Sequence, residues 1–252
     1  MEAVDLTVSE GCATVLITRP DVHNAMNWDV FDGLAKVFDE VAGNSEIRVV
    51  VVRGQGSSFS SGIDLNLFSE VAGDPVESIA RAQAPFRKLV ALEVPTVAAI
   101  GGHAYGAGLQ LALCCDVRLA TSDARLGLLE VKYGLIPDLG ATARLLRLVG
   151  PGRAQWMMWS GEKIDGKRAA EVGLVEIIVD PPSALDEKVE SVARSLEHAP
   201  PIVLKGVKRL VDHAASASFT ESMDEVGRAQ QEVLASKDFA EAIADLRRPL
   251  AE

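Results

Sequence analysis

The stretch PTVAAIGGHAYGAGLQLALCCDVRLAT, residues 95–121, changes character twice. PTVAAIGG is apolar with β-branched residues and predicts a strand, GAGLQLALCC predicts a short helix, and DVRLAT predicts a second strand. The spacing between strands is short for a doubly wound sheet with its longer crossovers, although strand–helix alternation alone fits that fold too. The glycines ahead of the helix also carry a chemical meaning. Without a Cβ the backbone approaches a ligand closely, and the first amides of a helix lie where its dipole is positive. Amides so placed stabilise negative charge growing on a carbonyl oxygen. The competing reading is steric, with small residues merely letting a strand and a helix pack tightly.

Upstream, residues 3–8 and 12–18 predict a strand pair turning near Gly11. Asn27 stands where it would cap a helix in which Phe31, Leu34, Val37, Phe38 and Val41 recur at helical spacing. IRVVVVRG, 47–54, predicts a strand buried on both faces. The polar loop after it contains FSSGIDL, 59–65, which offers a backbone amide at Gly62 or Ile63, and Pro75 opens a helix reaching about Leu92. Two amide-bearing loops after two strands of one sheet make an oxyanion hole with two donors plausible. From residue 139 the pattern is mostly helical, with one strand-like segment, LVEIIV, at 174–179. The end of the chain predicts three helices, at 183–197, 200–215 and 218–248. Each has an apolar face too broad for a free solvated helix, so this part packs on the body of the protein or on a neighbouring subunit. The chain divides on this reading into a core over 1–182 and a helical region over 183–252.

With 252 residues, 48% hydrophobic and 24% charged, the composition is that of a soluble globular protein with a full core. A net charge of −11 with no basic run speaks against nucleic acid and anionic membrane as partners. The beginning of the chain carries acids and no long apolar run, and the most apolar region, Val94 to Cys115, is broken by Pro95, His103, glycines and Gln110. Neither a signal peptide nor a membrane span is expected, which points to the cytoplasm. Three cysteines, two of them adjacent, predict buried reduced thiols rather than a disulfide framework, and four scattered histidines show no zinc spacing. GEKIDGKR, 161–168, has the glycine and lysine spacing of a phosphate loop but places Arg168 where a Ser or Thr would hold magnesium. No G-x-G-x-x-G follows a strand, and no G-x-S-x-G occurs.

GLLEVKYGLIPDLG, 127–140, sets two carboxylates, Glu130 and Asp138, among apolar residues. If the amides of 100–116 hold a carbonyl oxygen, the neighbouring chemistry is enolate formation, for which a carboxylate is a suitable base. Desolvation among Leu128, Leu129, Leu135 and Ile136 would raise either acid's pKa. Spacing alone leaves a second reading open, two exposed loop acids beside a turn.

RPDVHNAMN (19–27), FSSGIDL, the 94–121 segment and the C-terminal helices together resemble the crotonase, or enoyl-CoA hydratase/isomerase, superfamily over essentially the whole chain. The resemblance implies an α/β crotonase fold, a spiral of ββα units with a C-terminal helical region that builds homotrimers, often paired into hexamers. It implies a bent acyl-CoA thioester whose carbonyl oxygen sits between the backbone amides of Ile63 and Ala107. Ala25, Ser61, Gly62, Asp64, Leu65, Gly106, Gly108 and Phe239 are then the substrate and CoA contacts. No metal and no redox cofactor is implied, coenzyme A entering only as part of the substrate.

Hydratases similar to this chain use two glutamates. The second matches Glu130, but the first falls on Gln110, which cannot act as a base. Asp138 stands where hydratases carry glycine, and an aspartate there, with the SGIDL loop, resembles the Δ3,5-Δ2,4-dienoyl-CoA isomerases. Those enzymes carry an acid at the Gln110 position, so the chain departs from them as well. His23 replaces the Arg or Lys common near the CoA entrance. The resemblance thus implies double-bond isomerisation of an enoyl- or dienoyl-CoA in fatty-acid β-oxidation, with Glu130 and Asp138 moving protons and Gln110 positioning. Hydration of a 2-enoyl-CoA is the alternative, and a non-catalytic CoA-binding or scaffold protein is the alternative from another class.

Overall fold

The run of valines at residues 49–52 sits at the centre of the molecule, with no side chain of the four more than 2% exposed. It belongs to a strand, Val49–Gly54 (β3), in a six-stranded sheet. The computed structural model describes residues 2–68 and 74–246 of the chain. The hairpin of Val4–Ser9 (β1) and Cys12–Ile17 (β2) opens the sheet, and β2 then pairs in parallel with β3. Thr96–Ile100 (β4), Val117–Thr121 (β6) and Ile177–Val179 (β9) continue it in parallel, in the order β1-β2-β3-β4-β6-β9. A second sheet, β5-β7-β8, is made of His103–Tyr105, Arg125–Gly127 and Ile164–Asp165. The sequence pattern does not announce these last strands, because two or three residues are too few for a periodicity and tertiary pairing alone makes them strands.

Alternation along β3 sends its side chains into two separate cores. Val50 and Val52 face the large core with Phe31, Leu34 and Phe38 of the helix Trp28–Gly43 (α1), whose N-cap Asn27 accepts a hydrogen bond from the Val30 amide. Val49 and Val51 face the opposite side with Val97, Ala99 and Leu119, and there Val189 and Ala193 of the helix Leu185–Glu197 cover them. The α/β expectation holds, as do the helix opened by Pro75, Pro75–Ala91 (α2), and the short helix Ala107–Cys114 (α3), all of whose residues are buried.

Ala141–Val149 (α4), Pro151–Ser160 (α5), Gly166–Glu171 (α6) and Leu185–Glu197 (α7) lead to Pro201–Ala214 (α8), Phe219–Leu234 (α9) and Lys237–Leu246 (α10). The segment 218–248, expected as one helix, is therefore two. The Ser236 hydroxyl bonds the Val233 carbonyl and accepts from the Phe239 amide, which ends one helix and caps the next. Residues 247 and 248 of that expectation lie outside the described residues. LVEIIV contributes strand only at its end, while Leu174 and Val175 sink into the large core. No described helix is long and apolar enough to cross a membrane.

Candidate active site

Because β3 and β4 pair in parallel, both chains leave the sheet at the same edge, and the two glycine-containing loops meet there. They are laced together by the Ser60 amide donating to the His103 carbonyl at 2.9 Å and the Tyr105 amide to the Ser60 carbonyl at 3.0 Å. Ile63 pairs with Met26 in a short parallel bridge, in which Met26 donates to Gly62 O and Asp64 donates to Met26 O. That pattern leaves the Ile63 N–H directed away from its neighbour strand. Among the described residues neither the Ile63 amide nor the Ala107 amide, the first of α3, has an acceptor in the protein.

Gly62 makes their approach possible. Its φ is +102°, and a Cβ there would lie 2.8 Å from the Tyr105 carbonyl oxygen and 3.6 Å from the Ala107 nitrogen. Both the left-handed backbone and the contact require glycine. Gly62→Ala is expected to lower the thermal midpoint and to cost turnover by about tenfold or more, because it pushes the Ile63 amide off a shared acceptor. Unchanged turnover in a folded Gly62→Ala variant would mean that the position of the Ile63 amide does not bear on activity.

Glu130 opens a one-turn 3-10 helix, Glu130–Tyr133, that ends at the left-handed Gly134. Its carboxyl lies over Gly106, where a Cβ would stand 3.5 Å from Glu130 Oε1. Gln110, on α3 and 1% exposed, donates to Glu130 Oε1 at 2.8 Å and accepts from the Leu139 amide at 2.9 Å. The other carboxyl oxygen, Glu130 Oε2, is buried without a hydrogen-bond partner in the protein. Burial pushes the Glu130 pKa up; its own backbone amide and Gln110 offset part of this, and the nearby Asp138 adds to the rise. Asp138 is raised as well, again chiefly by burial. These are therefore not two solvated loop acids.

The acids and the two free amides share one cleft of about 900 Å³, which also takes in Ala25, Ser61, Gly62, Asp64, Leu65 and Gly106. Its apolar walls include Trp28, Phe31 and Leu129. Of the leucines and isoleucine expected to dry the acids, Leu128 is fully buried in the core, whereas Leu135 and Ile136 line the cleft while 42% and 78% exposed. Asp64 is not a free acid: its carboxylate accepts from Arg19 at 3.1 Å and from the Asn66 amide at 3.2 Å. Two expected contacts do not line the cleft among the described residues. Gly108 serves packing, since a Cβ there would lie 2.5 Å from the Ser60 carbonyl oxygen. Phe239 is half-buried on α10, outside this chain's own cleft.

The spacing of RPDVHNAMN does not single out Arg19 or Asn24, yet both hold this edge together. Asn24 is fully buried at positive φ and donates to the carbonyls of Gln55 and Ser58, while its side-chain oxygen accepts from the Arg19 amide. The polar Arg-Pro-Asp…Asn turn is the signal that would have found them. His23 and His103 share the Ser58 hydroxyl at 3.3 and 3.4 Å and meet edge to face, with His103 stacked on Tyr105. Burial first, then the charges of His23, Lys163 and Arg125, lower the His103 pKa, which suits a structural imidazole. Among the described residues no group of three His, Cys, Asp or Glu side chains is arranged to hold a metal ion.

The enoyl-CoA hydratase/isomerase family model matches residues 7–246. The chain is 32% identical over 235 residues to the short-chain-enoyl-CoA hydratase of Clostridium acetobutylicum, covering 92% of this chain and 89% of that protein. It is 29% identical over 242 residues to the mitochondrial Δ(3,5)-Δ(2,4)-dienoyl-CoA isomerase of Dictyostelium discoideum, covering 91% and 83%. A Thermobifida fusca protein solved in complex with acetoacetyl-CoA superposes with a TM-score of 0.87 at 32% identity, over 93% of this chain and 95% of that one. A spiral core of parallel strands, two free amides at one sheet edge and a match over nearly the whole length agree: the chain belongs to the enoyl-CoA hydratase/isomerase, or crotonase, family of enzymes.

Proposed function

We propose that the protein isomerises the double bonds of an acyl-CoA thioester, converting a 3,5-dienoyl-CoA to its 2,4 isomer. One observation carries this reading: two half-buried carboxyls, Glu130 and Asp138, face one cleft beside two unpaired amides, while the cleft's other acid, Asp64, is held by Arg19 and Gln110 can neither take nor give a proton. The thioester oxygen accepts from the Ile63 and Ala107 amides. Glu130 Oε2 takes the proton from C2, and the electron pair of that C–H bond spreads through the diene onto the oxygen. Asp138, its pKa raised by burial, then delivers its proton to C6. The C3 and C5 double bonds become C2 and C4 double bonds, and transfer of the proton from Glu130 back to Asp138 resets the pair. The oxyanion amides stabilise the dienolate at no reorganisation cost.

A second reading is hydration of a 2-enoyl-CoA with Glu130 and Asp138 sharing the water; likeness to the Clostridium hydratase favours it. Two retained acids in the cleft weigh against a non-catalytic scaffold. The proposed reaction uses side chains and amides only, with CoA as part of the substrate. Cys12, Cys114 and Cys115 are free thiols, as a reducing cytoplasm allows, and the proposed reaction is one that fatty-acid β-oxidation uses. Exposed Val211, Phe219 and Met223 on the C-terminal helices support assembly of 183–252 into trimers or hexamers.

The test offers purified enzyme 3,5-dienoyl-CoA and 2-enoyl-CoA in parallel, following the absorbance of the conjugated diene and enoyl thioester. Rapid appearance of the 2,4-diene with slow hydration is expected. Fast hydration with no diene formation would replace this reading with the second.

A further inference from the structure

Two glutamine side chains from two different helices grip opposite ends of a single peptide unit, the one joining Asp138 to Leu139. The Leu139 N–H donates to Gln110 Oε1 at 2.9 Å, and the Asp138 C=O accepts from Gln83 Nε2 at 2.6 Å. Gln110 comes from α3 and Gln83 from α2. The peptide fixes both amide orientations without ambiguity, because an N–H must meet an oxygen and a C=O must meet an NH2. Beyond Gln83, its own oxygen accepts from Arg87 Nη2 at 2.9 Å; beyond Gln110, its NH2 donates to Glu130 Oε1 at 2.8 Å.

Every donor in this series therefore points the same way, from the Arg87 guanidinium, which cannot accept, to the Glu130 carboxyl. Hydrogen bonds aligned head to tail through amide groups polarise one another. Two consequences follow for Glu130. Oε1 is held as an acceptor, so the proton is carried by Oε2, the oxygen left without a partner in the protein. The carboxyl is also held in register with Asp138, since both are tied to the same peptide.

We infer that Gln83 is a positioning residue: by gripping the Asp138–Leu139 peptide opposite Gln110, it aligns the two acids and directs the proton of Glu130 to Oε2. This rests on the reading of Glu130 as the proton-transferring acid. Of the groups around that carboxyl, Asp138 bears on it as a charge, while Gly106, which caps α3, and Gln110 of α3 carry none.

The experiment measures kcat, KM and the pH profile of Gln83→Met on whichever of 3,5-dienoyl-CoA and 2-enoyl-CoA the wild type consumes faster. Gln83→Met removes both links at similar volume; Gln83→Glu keeps the shape but loses the N–H that the Asp138 carbonyl requires, and it carries the comparison if the Met variant does not fold. The expected result is a kcat lowered roughly tenfold, the scale of a slightly misplaced catalytic group, with KM little changed. The acidic limb should move to higher pH, because a weakened chain supports the Glu130 carboxylate less. Adding Gln83→Met to Gln110→Met should cost less than the two single losses multiplied, since both act through one peptide. Wild-type kcat and pH limb in a folded Gln83 variant, or full additivity, would overturn the inference. Glu130→Gln, assayed alongside, separates the two failures: normal turnover there sinks the role of Glu130, whereas an inactive Glu130→Gln with normal Gln83 variants sinks only the clamp.

Discussion

Glu130→Gln is expected to lower turnover by at least ~10²-fold, the usual scale for a group that transfers a proton in the rate-limiting step. The substitution keeps the shape of the side chain and an oxygen for the Gln110 NH2 to meet. What it removes is the protonatable Oε2 above the cleft. KM for the thioester should change little, because in the proposed mechanism the amides of Ile63 and Ala107, which the substitution leaves alone, hold the carbonyl. Turnover within a few-fold of wild type would rule Glu130 out as the transferring acid.

The same variant should be more stable than the wild type at neutral pH. Burial raises the Glu130 pKa above its value in the unfolded chain, so the folded state binds the proton more tightly. The folded state then holds more protons across the window between the two pKa values, and wild-type stability falls as pH rises through it. The Glu130→Gln side chain does not titrate, so the variant escapes that loss. Thermal midpoints should coincide at low pH, where the wild-type carboxyl is protonated in both states, separate as pH rises through that window, and reach their full difference above the raised folded pKa. Catalysis runs in the opposite direction. The active base is lost as pH falls through the raised pKa, which puts the acidic limb of kcat above the ordinary glutamate range near ~4.3. A limb inside that range would mean that the carboxyl is solvated during turnover.

Asp138→Asn should also cost on the order of 10²-fold, but in one reaction and not in another. With 3,5-dienoyl-CoA as substrate, isomerisation should fall, since asparagine cannot deliver a proton to C6. Exchange of the C2 hydrogen in deuterated water should persist, because Glu130 and both oxyanion amides remain. That separation distinguishes a two-acid relay from a single-acid mechanism. Isomerisation at the wild-type rate would assign both proton transfers to Glu130 alone, and loss of C2 exchange would exchange the roles of the two acids.

Much of the fold is legible in the sequence, for a local reason. Apolar periodicity records which face of an element is buried, so the four valines of β3, the Asn27-capped helix and the apolar α3 declare themselves within a few residues. Small residues after two strands, in FSSGIDL and in the 100–116 segment, mark loops that can offer amides, although by themselves they read equally as a turn and as tight packing. Glu130 and Asp138 draw notice as charges among leucines, but spacing alone leaves two exposed loop acids as an equal reading, and burial in the folded chain decides between them.

Tertiary structure decided what depends on non-local distance. Residues 62 and 107 come together only because β3 and β4 pair in parallel and release their chains at one edge. Sequence spacing carries no information on that approach, nor on the strands of two or three residues whose partners alone define them. The same limit explains Gly108 and Phe239. One glycine faces a neighbouring carbonyl and its near neighbour Gly106 faces the cleft, although both lie in the same motif. It explains Gln83 too, an ordinary polar residue on a helix 55 positions from the carbonyl it holds. The chain's own letters specify which groups can do the chemistry. Only packing decides which oxygen of Glu130 is left without a partner, because that follows from where Gln110 is anchored rather than from what it is.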